Sequence, residues 1–159
     1  MAGGLSGDRR WYFAYGSNMD AGRLATRKVE YAERIAGRLD GWQLTFDKIA
    51  RTPPGAGAGN IVVRPGAAVH GTLNSLLDEG FTILDRFEGV ADGHYERRIV
   101  PVVRADTDTG AIVEAITYVA LKVGPGLKPT CDYLGFLLAG RDLLPADYFE
   151  ALKATPTFD

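Results

Sequence analysis

The amino-acid sequence predicts an α+β protein, because strand signals come first, with two helix signals among them, and two further helix signals finish the chain. Trp11 to Tyr15 is an aromatic run that is bounded by a glycine and too short for a helix, which favours a buried strand. Pro129 suits the first position of a helix that ends near Gly140. Pro145 suits the first position of another helix that runs to about Lys153.

The segment after the first strand predicts a short helix, a loop and two more strands. Asn18 is a good N-cap for a helix that extends to Arg27. Ile35 to Phe46 and Asn60 to Arg64 favour strands. Residues 52–59 between them, Thr-Pro-Pro-Gly-Ala-Gly-Ala-Gly, are hard to fold regularly. We expect a mobile loop or a lid there.

A further strand is predicted at Val69 to Leu73, and an amphipathic helix follows it. The apolar residues of this helix recur at spacings of four and three: Leu77, Phe81 and Leu84. Gly89 suits a left-handed cap at its end, which puts Glu88 in the last turn.

A β-hairpin is predicted next, from Tyr95 to Val103 and from Ile112 to Leu121, across a turn rich in Asp, Thr and Gly. Pro101 has no backbone N–H to donate. Its strand is therefore expected at a sheet edge or to contain a bulge.

Composition limits the possible classes of protein. A chain of 159 residues fits one domain, which we assign to residues 11–159, with a disordered N-terminal tail at residues 1–10. The 18 basic and 20 acidic residues give a net charge of −2, and no Lys/Arg run could follow a nucleic-acid backbone. Apolar stretches are too short to span a bilayer, and the single Cys131 allows no internal disulfide. We expect a cytoplasmic protein that binds neither nucleic acid nor membranes.

Two segments carry a family resemblance: the Tyr15-Gly16-Ser17-Asn18 turn after the first strand, and Leu84 to Tyr95 with Glu88 inside it. They resemble the γ-glutamylcyclotransferase superfamily, whose members have a Y-G-S-N turn and a catalytic Glu in an L-D-x-x-E-G-V-x-x-G-x-Y segment. The resemblance covers most of the chain, from about residue 11 to residue 154, in the family's order. It includes Arg38 to Phe46, Val69 to Leu73 and Leu144 to Tyr148.

The resemblance implies a fold and a reaction. The implied fold is a small mixed, partly closed β-barrel with surrounding α-helices. The implied reaction is intramolecular aminolysis: the α-amine of a γ-glutamyl group attacks its own side-chain carbonyl, which gives 5-oxoproline and releases an amine or amino acid. It needs no metal and no cofactor, and a tethered nucleophile can reach effective molarities of about 10⁵ to 10⁸ M. The implied partner is a small-molecule γ-glutamyl substrate, bound by a monomer or homodimer, and the branch acting on γ-glutamyl amino acids matches best.

Glu88 is the residue to which the resemblance assigns general base and acid catalysis. An ordinary Glu, with a pKa of about 4.3, is a poor base for an ammonium group. Phe87 and Val90 beside it can desolvate the carboxylate, and the negative end of its helix disfavours a further negative charge. Both effects raise the pKa of the carboxyl. For an arbitrary Glu, a solvated acid at a helix end would be the simpler interpretation.

The turn at Tyr15, Gly16, Ser17, Asn18 and Met19 is the expected substrate cradle, because a tight turn before a helix presents unpaired N–H groups to an anion. A turn that only caps a helix is compatible with the same residues.

Two further tyrosines match positions where relatives have a tyrosine: Tyr95, seven residues after Glu88, and Tyr133, on the first C-terminal helix. Either hydroxyl is a candidate for a hydrogen bond to the substrate. Half-buried core tyrosines would account for both of them as well.

Other chemistries have weaker support in the sequence. His70 and His94 are isolated, and no spacing suggests a metal site. Cys131 or Ser17 would need a partnered base to act as a nucleophile. A γ-glutamyl hydrolase that releases glutamate, and a binding module without turnover, remain as alternatives.

Overall fold

The structure, a computed structural model, describes residues 8–159. Most of the predicted tail, residues 1–10, therefore lies outside the described residues, although Arg10 already pairs with Leu76. The strands and α-helices, in chain order, are β1 (Arg10–Ala14), α1 (Ala21–Thr26), β2 (Arg34–Ile49), β3 (Gly57–Leu76), α2 (Asp78–Phe87), β4 (Tyr95–Arg104), β5 (Ile112–Ala120), α3 (Cys131–Leu138) and α4 (Ala146–Lys153).

The five strands form a closed barrel in the order β1-β3-β2-β4-β5. Neighbouring strands are antiparallel except β1 and β5, which are parallel and close the barrel through Trp11 opposite Ala115 and Tyr12 opposite Ile116. The predicted α+β fold with a mixed barrel is confirmed, and the barrel is closed rather than partly closed.

The strand β3 joins two strands that the sequence predicted separately. It pairs with β2 on both sides of a register shift, with Asp40 opposite Ala68 and Trp42 opposite Val63. The intervening residues 64–67 contain Pro65, which has no N–H, and a glycine with a φ of +88°, so they resemble a turn in sequence. A long strand with a bulge accommodates the same signals.

The predicted mobile loop is shorter than expected. Gly57 pairs with Ile49 and Ala58 with Lys48, so β3 already begins at the end of the predicted loop. A Cβ atom on Gly57 would lie 2.0 Å from the carbonyl oxygen of Phe46, so only glycine allows the two strands to approach this closely. The loop prediction was therefore wrong for residues 57–59.

The hairpin of β4 and β5 follows its prediction. Its pairing runs without a register shift through Pro101 opposite Glu114, so there is no bulge. On its other side β4 pairs with β2 only at Val103 and Arg104, which leaves Pro101 on an edge over most of the strand. An edge position requires no N–H donor from proline.

The predicted C-terminal helices exist, but they begin slightly later. Thr130, whose hydroxyl accepts from the Tyr133 backbone N–H at 3.1 Å, is the N-cap of α3, and Pro145 is the N-cap of α4.

Two apolar clusters hold the molecule together. One consists of strand residues and fills the barrel; the other packs α1 to α4 against the barrel wall. No helix within residues 8–159 is long and apolar enough to cross a membrane.

Candidate active site

The turn after β1 lies at one end of the barrel and continues into a short 3₁₀ helix, Ser17–Met19. The predicted capping role of Asn18 was wrong, because Asp20 caps α1: its Oδ1 accepts from the backbone N–H groups of Gly22 and Arg23 at 2.8 and 3.4 Å. Asn18 is buried instead, and its Nδ2 donates to the Tyr12 hydroxyl at 3.0 Å. Asn18 is therefore available to the site.

Glu88 follows α2 directly, where Gly89 takes up the predicted left-handed conformation with a φ of +66°. A Cβ atom at Gly89 would lie 2.1 Å from Arg51 Nη2, so the absence of a side chain lets this guanidinium lie over the turn. Glu88 Oε1 accepts from Asn18 Nδ2 at 3.3 Å. The two segments that the sequence singled out are thus in direct contact.

A cavity of about 30 Å³ lies between these two segments. Its lining comes from both of them and from the strands and helix around them: Tyr12, Tyr15, Gly16, Ser17, Asn18, Gly59, Glu88, Tyr95, Thr117, Tyr118 and Tyr133. Of the predicted substrate-binding residues, only Met19 does not line it. Met19 is fully buried, and its side chain packs against Gly140.

Burial raises the pKa of the Glu88 carboxyl above its ordinary value. Nearby cations oppose this effect, Arg27 most strongly, followed by Arg23, Lys48 and Arg51. The sequence anticipated the direction of the shift but attributed it to neighbouring apolar residues and the helix end. The opposing cations were not foreseen.

Tyr95 and Tyr133 bind the two backbone groups of Gly59. The Tyr95 hydroxyl donates to the Gly59 carbonyl oxygen at 2.7 Å, so its proton is already used. The Tyr133 hydroxyl accepts from the Gly59 N–H at 2.9 Å, so the proton of the hydroxyl takes no part in this hydrogen bond. Tyr15 likewise donates its proton to the Tyr118 carbonyl oxygen at 2.6 Å. Among these three hydroxyls, Tyr133 is therefore the best placed to donate to a bound ligand.

A second hollow, of about 260 Å³, opens outward from the cavity and shares Ser17, Glu88, Tyr95 and Tyr133 with it. Its wall also carries a group of four basic side chains, which we call the cationic vestibule: Arg23, Arg27, Lys48 and Arg51.

Comparisons with known proteins show the family to which the chain belongs. The AIG2-like family model matches residues 68–152, which is more than half of the chain. The γ-glutamylcyclotransferase of Homo sapiens is 30% identical over 149 residues, covering 90% of this chain and 77% of that protein. The chain belongs to the γ-glutamylcyclotransferase superfamily. The Mus musculus γ-glutamylcyclotransferase is 28% identical over 157 residues, covering 95% and 81% of the two chains.

The solved structure of a gamma-glutamyl cyclotransferase has the same fold as this superfamily member. The TM-score is 0.84 at 26% identity, and the match covers 96% of this chain and 90% of that one. The fold class implied by the sequence resemblance is therefore confirmed by comparison as well as by the strand order.

In this γ-glutamylcyclotransferase-superfamily chain, two groups of lining residues were not predicted from the sequence. They are the cationic vestibule and four residues of the cavity: Tyr12, Gly59, Thr117 and Tyr118. Tyr12 belongs to the aromatic strand, but its exposure to a cavity is visible only once the barrel is closed. The residues of the cationic vestibule come from α1 and its C-cap, the end of β2 and the segment after β2, and no local spacing marks them as neighbours.

Among residues 8–159, no three His, Cys, Asp or Glu side chains are arranged to hold a metal ion.

Proposed function

We propose that this protein is an enzyme that converts a γ-glutamyl amide into 5-oxoproline and a free amine. The observation that carries the proposal is the contact of Glu88 with Asn18 of the Gly-Ser-Asn turn, at the wall of one cavity. A single carboxylate that faces a turn with free N–H groups has the two functions that this cyclisation needs: proton transfer and binding of an anion.

The proposed reaction moves protons through Glu88. Its carboxylate takes a proton from the substrate ammonium, and the freed α-amine attacks the γ-carbonyl carbon. A new C–N bond closes the ring, Glu88 returns the proton to the departing nitrogen, and the original amide C–N bond breaks. The ring nitrogen loses its second proton to the Glu88 carboxylate, which passes it to the released amine, so 5-oxoproline and an ammonium leave the site. Atoms balance without water. The raised pKa of Glu88 supports this role, because it brings the basicity of the carboxylate closer to that of the substrate amine from which it takes the proton.

The turn is proposed to bind the negatively charged oxygens of the substrate. Met19 N–H donates to the Gly16 carbonyl and Asp20 N–H to the Ser17 carbonyl, which closes the turn on itself. Ser17 and Asn18 are the first two residues of the 3₁₀ helix, so their N–H groups have no carbonyl acceptor within that helix. The Tyr133 hydroxyl is proposed as a further donor to the substrate.

The test is Glu88→Gln, which keeps an oxygen that can accept from Asn18 but cannot act as a base. We expect 5-oxoproline formation from γ-glutamyl-alanine to fall by about 10² to 10⁴-fold, the range for loss of a general acid–base group. The matched control is Glu79→Gln, which removes an exposed carboxylate from the first turn of α2, the helix that ends before Glu88, and should leave 5-oxoproline formation unchanged. Unchanged circular dichroism and melting temperature would show that both variants fold.

The products separate the alternatives. Release of glutamate instead of 5-oxoproline would identify a hydrolase. Binding of γ-glutamyl compounds without either product, across several donors, would identify a binding module. Full turnover by Glu88→Gln would remove Glu88 from the mechanism.

A further inference from the structure

We propose that the cationic vestibule selects γ-glutamyl substrates whose leaving half carries two or more negative charges, such as an acidic amino acid joined through its amine. This inference rests on the proposed function, since it names the substrate class of the same site. The vestibule is the outer part of the hollow that contains Glu88, so it surrounds the space into which a leaving group would extend.

The charge of the vestibule exceeds what its own carboxylate can neutralise. Four basic side chains line the hollow, and Glu88 is the one acidic residue among the residues that line it. None of the salt bridges found within residues 8–159 includes any of the four cations. The chain as a whole, with these four cations included, has a net charge of −2. The positive charge is therefore concentrated at the mouth of the site.

Lys48 is the strongest single indication of an anionic ligand. Lys48 is only 3% exposed, yet its side-chain nitrogen has a histidine ring and not a carboxylate as its hydrogen-bond partner: Nζ lies 3.0 Å from His94 Nδ1. Burial, and then the charge of Arg51, lowers the pKa of Lys48. A buried ammonium that faces a hollow without a carboxylate partner gains most from a ligand that brings one.

Two of the four cations are held in place by neighbouring side chains. Arg23 Nε donates to Ser17 Oγ at 3.1 Å, and its guanidinium lies over the Phe136 ring. Arg27 Nη1 donates to Asn18 Oδ1 at 3.0 Å and lies over the Phe87 ring. These contacts fix the guanidinium groups with donors to spare, because each has five N–H donors. Their positions are thus set before a ligand arrives.

Charge balance then selects the ligand class. The α-ammonium and α-carboxylate of a γ-glutamyl group cancel, so the leaving half alone determines the charge that enters the vestibule. If the leaving half is a neutral amine, only Glu88 opposes the four cations, and three positive charges remain in excess. If the leaving half carries one carboxylate, two positive charges remain in excess. A leaving half with two carboxylates comes closer to balance and supplies acceptors for both Lys48 and Arg51.

The experiment compares two substrates of nearly equal shape, γ-glutamyl-glutamate and γ-glutamyl-glutamine. They differ by one negative charge on the leaving half. We expect kcat/KM for 5-oxoproline formation to be at least about tenfold higher for γ-glutamyl-glutamate, the effect of one additional charged hydrogen bond. Lys48→Met and Arg51→Met should each reduce this ratio toward one, whereas the control Arg64→Met, an exposed arginine outside the hollow, should leave it unchanged.

A ratio of one or below in the wild-type protein would overturn the inference, as would a ratio that survives both vestibule substitutions. If no substrate yields 5-oxoproline, the proposed function fails, and calorimetry then decides the inference separately. Tighter binding of γ-glutamyl-glutamate than of γ-glutamyl-glutamine, lost in Lys48→Met, would uphold an anion-selective vestibule. Equal binding of the two compounds would refute it.

Discussion

At the residue scale, Asn18 shows how one side chain connects the parts of the site. Its Nδ2 donates to both Tyr12 and Glu88, and its Oδ1 accepts from Arg27. Because the amide is 2% exposed, these contacts fix its orientation. Asn18 therefore links Glu88 to Arg27, whose positive charge opposes the rise in the pKa of the Glu88 carboxyl.

The pH dependence of activity tests this effect of Arg27. If Glu88 must be ionised, activity falls as the pH decreases through its raised pKa. The midpoint of this fall, the acid limb of the pH–rate profile, therefore lies at a pH above the ordinary pKa of Glu. Arg27 is the strongest of the influences that lower this pKa. Arg27→Gln should therefore move the acid limb to higher pH, measured as kcat/KM for γ-glutamyl-alanine.

The other cations that line the hollow remain in that variant: Arg23, Lys48 and Arg51. The hydroxyl residues that line the cavity and the hollow remain as well: Tyr12, Tyr15, Ser17, Thr52, Tyr95, Thr117, Tyr118 and Tyr133. An acid limb that stays in place or moves to lower pH would contradict the assignment of Glu88 as the titrating base.

At the element scale, α1 is a helix of only six residues that supports two vestibule arginines. Such a short helix is not stable by itself and depends on its cap and on packing. Asp20 supplies the cap, and Leu24 anchors the helix in the core. The backbone N–H of Arg23 donates to the Asp20 carboxylate, so the position of Arg23 is tied to this cap.

Removing the cap should weaken this element. Asp20→Ala is expected to lower the free energy of unfolding by about 1 kcal/mol, and Asp20→Asn, which keeps an accepting oxygen, by much less. Urea unfolding followed by circular dichroism measures the difference. Equal stability of the two variants would show that the cap contributes little.

At the scale of the whole molecule, barrel closure assembles the site. The parallel pairing of β1 with β5 brings the turn after β1 beside Thr117 and Tyr118. Contacts of the same turn with α3 place Tyr133 over Gly16 and Gly59, where a Cβ atom would lie 3.3 and 3.1 Å from its hydroxyl. The site is thus shared by elements from both ends of the sequence.

The charge distribution of the whole molecule predicts a salt effect. Screening acts over about 10 Å at 0.1 M salt and about 3 Å at 1 M. Because the vestibule is open to solvent at Arg51, we expect kcat/KM for γ-glutamyl-glutamate to fall with added potassium chloride more steeply than that for γ-glutamyl-glutamine. Parallel salt curves for the two substrates would argue against electrostatic selection by the vestibule.

The sequence by itself determined what local patterns encode. The aromatic strand, the α2 apolar spacing, the left-handed Gly89 and the β4–β5 hairpin were all predicted correctly, because each depends on neighbours within a few positions. Errors arose where tertiary contacts override such signals. Pro65 and Gly66 lie within a continuous strand, and Asn18 is drawn into a cavity while Asp20 caps the helix.

Only the tertiary structure decided which residues meet in space. Glu88 and Asn18 are 70 positions apart, and the Tyr133 hydroxyl meets the Gly59 N–H across 74 positions. Four cations from α1, β2 and the following segment surround the same hollow without any spacing that marks them. The physical reason is that burial and charge at a site depend on the path of the whole chain, whereas turns, caps and amphipathic faces depend on a few adjacent residues.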